Sequence, residues 1–184
     1  DGHAAADADV TVNIEELGLS FSGTANAQGE LELSLQAPDS LVNWSPDTPK
    51  LYDVVISTTG DVLTERIGFR TIETSDGDIL LNGEPIFLRG ISMHEEELGS
   101  DPARTVDEAA ARALLTEIKD GLNGNFVRLA HYPHSEVTTR LADEIGLLVW
   151  SEIPVYWRID WDNPETLQAA RQMQAENIMR DRNR

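Results

Sequence analysis

The apolar periodicity of this 184-residue chain changes once, near Thr71. A chain patterned in two different ways does not fold as one uniform layer. Upstream, apolar residues alternate with polar ones: Val10, Val12 and Ile14, then Leu17, Leu19 and Phe21, then Leu31, Leu33 and Leu35. A spacing of two puts apolar side chains on one face of an extended chain, so each run predicts a half-buried strand. Asn26-Ala27-Gln28-Gly29 predicts a hairpin loop between the second and third runs. Pro46 and Pro49 break the chain, and strands are then expected over 51–56 and 62–69 around the turn Thr59-Gly60-Asp61. Short strands separated by turn signals predict an antiparallel sandwich. A whole one takes roughly 100 residues, so residues 1–70 are expected to be incomplete at their N-terminal side.

Downstream, Asp76-Gly77 and Asn82-Gly83 flank Ile79-Leu80-Leu81. Such dipeptides accept φ > 0 at both central positions, which predicts a hairpin with arms at 79–81 and 86–88. Beyond Gly90, strand and helix patterns alternate. Thr105-Val106-Asp107-Glu108 has the form of a capping box. Val106, Ala110, Leu114 and Ile118 follow at four-residue intervals, with a stop at Gly121. Ser135 predicts the cap of a second helix, buried along Val137, Leu141 and Ile145 and ended by Gly146. Leu147-Leu148-Val149-Trp150 reads as a strand buried on both faces. Asn163-Pro164 opens a third helix. Strands near 86, 125 and 147 with helices between them are βα units, which require a parallel sheet. The fold class expected is therefore multi-domain, β followed by α/β. Residues 71–184 hold about three βα units, whereas a (β/α)8 barrel takes about 250 residues. The last helix runs to the final residues with no terminator, so the sequence reads as a piece of a longer protein.

Composition narrows the partners. There are 33 acidic against 14 basic residues, a formal charge of -19. Tracking nucleic-acid phosphates needs clustered Lys and Arg, so no nucleic-acid partner is expected. No apolar run reaches the roughly 20 residues of a membrane-spanning helix, and no membrane partner is expected. Asp1-Gly2-His3-Ala4-Ala5-Ala6 lacks the basic and apolar regions of a signal peptide. Cys is absent, which excludes disulfides, thiolate metal sites and Cys nucleophiles. Gly-x-Gly-x-x-Gly, Gly-x-x-x-x-Gly-Lys and Gly-x-Ser-x-Gly are all missing, so neither nucleotide chemistry nor a nucleophile elbow is indicated.

In βα folds functional residues gather at the C-terminal ends of the parallel strands. The first end reads Arg89-Gly90-Ile91-Ser92-Met93-His94-Glu95-Glu96-Glu97, the second Arg128-Leu129-Ala130-His131-Tyr132-Pro133-His134, the third Trp150-Ser151-Glu152-Ile153-Pro154-Val155-Tyr156-Trp157. Arg128, His131, Glu152 and His94 are the polar candidates. Each has a structural alternative: Arg128 pairing with a structural carboxylate, His131 or His134 bonding a turn. Glu95-Glu96-Glu97 reads mostly as a solvated run. Tyr156, Trp157 and Trp161 suit either packing or stacking on the C–H faces of sugars. A metal site from His94, His131, His134 and Glu152 is the rival chemistry, though no tight ligand spacing supports it.

The stretch Asn125-Phe126-Val127-Arg128-Leu129-Ala130-His131-Tyr132-Pro133, continued through Asp143 and Gly146 to Leu147-Leu148-Val149-Trp150, resembles a signature of glycoside hydrolase family 2, the β-galactosidase, β-glucuronidase and β-mannosidase group. Leu81-Asn82-Gly83-Glu84-Pro85 to Arg89-Gly90 resembles the family's entry into its barrel, and Trp150-Ser151-Glu152-Ile153-Pro154 its third barrel strand. Pro46-Asp47-Thr48-Pro49-Lys50-Leu51-Tyr52 resembles the close of its immunoglobulin-like sandwich. Leu129 and Thr138-Thr139 depart from the usual pattern. The resemblance implies an immunoglobulin-like β-sandwich over 1–70 and the truncated first part of a (β/α)8 TIM barrel over 71–184. It implies retaining hydrolysis of β-glycosides, with a carbohydrate substrate, no cofactor, no metal and a homo-oligomeric parent. Retention needs a carboxyl pair about 5–5.5 Å apart. In the family that pair lies later in the chain, so no catalytic residue is expected here and the piece alone should be inactive. Arg128, His131, Glu152, His94, Tyr156 and Trp157 are expected to bind substrate. A non-catalytic carbohydrate-binding module is the main alternative, a His/Glu metal hydrolase a further one.

Overall fold

A computed structural model of the chain describes residues 5–96 and 107–184. The chain divides into two compact units, Asp1–Asn43 with Lys50–Phe69, and Trp44–Pro49 with Arg70–Arg184. No described helix is long and apolar enough to cross a membrane.

The first unit is a four-stranded antiparallel sheet of β1 (Asp9–Ile14), β2 (Leu19–Thr24), β3 (Tyr52–Ser57) and β4 (Val62–Ile67), in the order β2-β1-β3-β4. Among the described residues it forms one sheet rather than two facing sheets. Ile14, Tyr52 and Val54 make its core, with Leu41, Ile56, Ile67 and Phe69 packed against them. The buried Tyr52 hydroxyl accepts the Val42 N–H at 2.9 Å, so its burial carries no unpaired polar group. The run Leu31, Leu33, Leu35 forms no strand. The predicted turn before it is present, with the Asn26 carboxamide oxygen accepting the Gln28 and Glu30 amides at 2.9 Å. Leu31 and Leu33 then lie over Gly23 of β2, each 3.0 Å from where a Cβ there would stand, and cover the sheet instead of extending it.

The second unit begins with a meander, β5 (Ile72–Ser75), β6 (Asp78–Leu81) and β7 (Glu84–Pro85). Both of its turns are left-handed at two residues, φ 53° and 92° at Asp76-Gly77 and 54° and 82° at Asn82-Gly83, as tight hairpins require. The second hairpin's outer arm is shorter than expected, and residues near 86 belong to it rather than to the parallel sheet. That sheet starts at β8 (Gly90–Met93), beside β9 (Phe126–Leu129) and β10 (Leu148–Ser151), in the order β8-β9-β10. The Asn125 side chain sets the boundary. It accepts the Arg89 N–H at 2.7 Å and donates to the Phe87 carbonyl at 3.0 Å, holding 87–89 as an irregular lead-in. Gly90 follows because a Cβ there would run into the Phe126 carbonyl.

Helices α1 (Glu108–Thr116), α2 (Glu136–Ile145) and α3 (Pro164–Asp181) complete the unit. Thr105 and Val106 lie outside the described residues; Asp107 caps α1 by accepting the Ala110 N–H at 2.8 Å. Ser135 caps α2 and Asn163 caps α3. The buried faces differ from the expected ones. Helix α1 and the turn after it bury Ala111, Leu115 and Ile118, with Leu114 only partly buried beside them, and α2 buries Thr138, Leu141 and Ala142, with Ile145 partly buried, while Val137 is 41% exposed. The reason is geometric. A constant spacing of four drifts by about 40° per step around an α-helix, whereas steps of four and three keep to one line.

The core of this unit is Met93, Ala111, Leu115, Ile118, Val127, Leu129, Leu141, Ala142 and Leu147. Each fully buried large apolar side chain contributes roughly 1.5–3 kcal/mol. Trp44 is fully buried, donates its indole N–H to the Asp143 carbonyl at 2.9 Å, and carries the Arg70 guanidinium 4.7 Å above its ring. Strand β10 is not buried on both faces as expected. Val127 and Leu129 face the helices, so by alternation Ser92, Arg128 and Trp150, which stand side by side in register, share the other face. Trp150 is 60% exposed there.

Candidate functional site

Each parallel strand delivers one group to the same rim. Strand β8 is followed by His94, β9 carries Arg128 and is followed by His131, and β10 is followed by Glu152. The Arg128 Nε–H donates to Glu152 Oε1 at 2.6 Å and an Nη2–H donates to Oε2 at 3.2 Å, a fork-to-fork pair. A third donor, Nη1, lies 3.5 Å from the Ser92 hydroxyl on β8. His131 Nδ1 is 3.2 Å from Glu152 Oε2 and 3.2 Å from Arg128 Nη2. The Ala130–His131 peptide bond is cis.

The hydrogen bonds from Arg128, and secondarily from His131, hold the Glu152 carboxyl below its usual range. The same bond pushes the Arg128 guanidinium up. Glu152 is therefore ionised and accepts only. Its contact with Nδ1 is favourable when Nδ1 bears the proton, while the Arg128 contact would need Nδ1 bare. The carboxylate concentrates charge on two oxygens and the guanidinium spreads it over three nitrogens, so we assign the proton to Nδ1. That leaves His131 Nε2 as a hydrogen-bond acceptor. Glu152 itself, with both oxygens engaged, is neither a proton donor nor a ready nucleophile.

Aromatic rings extend the cluster. The His94 ring meets His131 edge-on at 5.2 Å, Tyr156 lies 5.5 Å from His131, and Trp157 lies 6.3 Å from Tyr156. Trp157 is 97% exposed and has φ 66°. Trp161 is exposed as well. Thus Arg128, His131, Glu152, His94 and Tyr156 come together, with Trp157 at the outer edge.

His134 is placed elsewhere. It is fully buried, with Nε2 3.0 Å from the Ala130 carbonyl and Tyr132 stacked on it at 5.1 Å. Burial pushes its pKa down. Among the described residues no three His, Asp or Glu side chains gather as metal ligands would.

Glu95 corrects the expectation of a solvated run. It is only 8% exposed, its carboxylate accepts the Ser135 N–H at 2.9 and 3.0 Å and the Thr138 hydroxyl at 2.7 Å, and its own N–H donates to the Tyr132 hydroxyl at 3.1 Å. Burial alone would raise this carboxyl, but the Thr138 and Ser135 hydrogen bonds outweigh it and hold the group below its usual range. One signal was available in the sequence: an acid next to the end of the first parallel strand, with the helix after the neighbouring strand opening Ser135-x-x-Thr138.

A parallel sheet flanked by helices, with its polar cluster at the C-terminal rim, is the opening of a TIM-barrel-type domain. Residues 72–184 match the TIM barrel domain of glycosyl hydrolases family 2, and residues 1–70 match glycosyl hydrolases family 2. The chain belongs to this family. It is 30% identical over 183 residues to a β-galactosidase of Arthrobacter sp. (strain B7), covering 95% of this chain and 17% of that protein. It is 42% identical over 94 residues to a β-glucuronidase of Streptococcus agalactiae, covering 51% and 15%. Among solved structures, Parabacteroides merdae β-glucuronidase superposes with a TM-score of 0.76 at 33% identity, over 97% of this chain and 23% of that one. A β-glucuronidase from Ruminococcus gnavus in complex with D-glucuronic acid matches with a TM-score of 0.76 at 27% identity, over 96% and 30%. The chain thus spans less than a third of each of these relatives.

Proposed function

We propose that this chain supplies the substrate-gripping part of a retaining β-glycoside hydrolase, and that residues 71–184 are the first three βα units of its eightfold barrel, after an immunoglobulin-like region over 1–70. The observation that carries this reading is the convergence of Arg128, His131 and Glu152, from adjacent parallel strands, within hydrogen-bond distance at one rim. Arg128 neutralises and orients Glu152, and Glu152 orients His131. His131 Nε2 then accepts from a sugar hydroxyl, His94 borders the pocket, and Tyr156 and Trp157 stack on the C–H face of a ring. Glu152 is committed to Arg128 and His131, so this chain binds the sugar without cutting the glycosidic bond, which needs a second carboxyl at close range.

The test is an NMR titration of the isotope-labelled chain with methyl β-galactoside, methyl β-glucuronide and methyl β-mannoside. At least one is expected to shift the Arg128 Nε–H and Trp157 indole signals saturably, and Arg128→Ala to abolish the effect. Silence toward all three would reject the site. Chromogenic β-glycosides are expected to remain uncleaved; turnover dependent on Arg128 and Glu152 would show that the chain holds its own catalytic groups. A second reading, a module that only binds glycans, is favoured by the nearly complete exposure of Trp157. Its discriminating observation is a longer reading frame without a downstream carboxylate pair.

A further inference from the structure

We propose that Glu95 is a positioning residue for His131: its carboxylate bolts the C-terminal end of β8 to the start of α2 and so fixes the β9–α2 loop in the shape that sets the His131 ring against Glu152. The role assigned to His131 rests on the saccharide reading above; the positioning itself does not.

The geometry has three parts. First, Glu95 is anchored at both ends. Its N–H donates to the Tyr132 hydroxyl at 3.1 Å, and its carboxylate accepts the Ser135 amide and the Thr138 hydroxyl at 2.7–3.0 Å. Residues 132 and 135 belong to the loop that carries His131 and residue 138 to the helix it enters, so Glu95 holds the C-terminal side of that loop. Second, the loop has no slack. The Ala130 N–H donates to the Met93 carbonyl at 3.0 Å, and the Ala130 carbonyl lies 3.0 Å from buried His134 Nε2. A shift of Ser135 therefore reaches residue 131 rather than being absorbed. Third, the burial would be costly without a purpose for the charge. A carboxylate removed from water is tolerated only when its oxygens are satisfied, and here they are satisfied by the amide of Ser135, the cap of α2, and by the Thr138 hydroxyl in its first turn, where the helix N-terminus also favours negative charge. His94, the residue before Glu95, touches both His131 and Tyr132 through its ring, so the bolt and the rim share neighbours.

The experiment follows the His131 ring by long-range 1H–15N correlation in the ligand-free 184-residue chain, with the Trp44 indole N–H as the reporter of the fold. In Glu95→Ala the His131 nitrogens are expected to lose their single-tautomer pattern and move toward the mixed average, with the Trp44 signal retained. Glu95→Gln, which keeps an acceptor for Ser135 and Thr138, is expected to restore most of it. Glu95→Asp keeps the charge at the helix end but is one methylene short, and is expected to give an intermediate shift even if the alanine variant fails to fold. A folded Glu95→Ala or Glu95→Asp chain with the unchanged His131 pattern overturns the proposal. Saccharide titration of the same samples separates the two readings: a displaced His131 pattern in a chain that never bound sugar supports the bolt and rejects the site.

Discussion

Arg128 and Glu152 meet fork to fork across adjacent parallel strands, Nε to Oε1 at 2.6 Å and Nη2 to Oε2 at 3.2 Å. Arg128 stands opposite Trp150 in the ladder, so Glu152, two residues on, returns to the same face and lies over the guanidinium. The pair is partly open to solvent and adds little stability. Arg128→Ala is therefore expected to shift the unfolding temperature by no more than about 2 °C. Saccharide affinity should fall about tenfold or more, the scale of one charge-assisted hydrogen bond. Calorimetric titration beside a thermal melt checks both; equal loss of stability and affinity would make the pair merely structural.

The Glu152 carboxyl should titrate below 4.5, because Arg128 and then His131 favour its ionised form. The sign follows from linkage. A depressed carboxylate contributes stability above its unfolded value and loses it as pH falls through the folded one. The side-chain 13C shift of Glu152 is expected to show a midpoint below the ordinary glutamate value, and that midpoint to rise in Arg128→Ala. A wild-type midpoint at or above 4.5 would contradict the pairing. Glu152→Gln is expected to release His131 Nδ1 and mix the two tautomers.

The rim was legible in the sequence because it needed one rule: where parallel strands end, the next polar side chains share an edge. Arg128, His131, Glu152 and His94 follow from that alone. Glu95 was not, because a run of three acids looks solvated until the amide and hydroxyl that satisfy one of them are known to be in space beside it. His134 had two readings in the sequence, and it takes the second: it turns inward, with Nε2 beside the Ala130 carbonyl. The Leu31, Leu33, Leu35 run shows that alternation reports a half-covered extended chain, not a ladder. Ile79-Leu80-Leu81 formed its strand, but only the Asn125 side chain explains why the parallel strand waits until Gly90.

Helix phase gives a direct check. Val137 faces out and Thr138 is fully buried against Glu95. Val137→Lys is expected to leave the unfolding temperature within about 2 °C of wild type, within the usual range of surface substitutions. Thr138→Lys should cost several kcal/mol, roughly 3–5, by burying an ammonium in place of a donor hydroxyl. Comparable effects at the two positions would mean that α2 is rotated from the phase described.

Asp143 should make the second unit's stability depend on pH in the mildly acidic range, between 3.8 and about 6. Burial, opposed by Arg70 3.7 Å away and by Arg184, raises its carboxyl from 3.8 to about 6, and among the described residues Oδ2 has no hydrogen-bond partner. A raised carboxyl contributes stability in its protonated form, fully below 3.8 and progressively lost as pH climbs through about 6. The whole span corresponds to about 3 kcal/mol. Thermal melts from pH 4 to 8 are expected to show falling stability across that window in the wild type and a flatter profile in Asp143→Asn. The slope is the readout, since removing the charge also changes the surroundings of Arg70. An unchanged slope would remove Asp143 as its source.

Trp157 combines two costs: φ 66°, where a residue with a Cβ is strained, and 97% exposure of an indole that gains little from packing. A left-handed non-glycine residue costs of order 1–2 kcal/mol. Glycine at this position removes that strain and surrenders about half of it again as extra freedom in the unfolded chain. Trp157→Gly is thus expected to leave the unfolding temperature unchanged or raise it by a degree or two. If the indole is a platform for a sugar ring, the same change should weaken saccharide binding severalfold, while Trp157→Phe retains most of it because the stacking face survives. Stability and affinity moving in opposite directions at one residue is the mark of a side chain kept for a ligand. Loss of stability with unaltered binding would instead return Trp157 to ordinary packing.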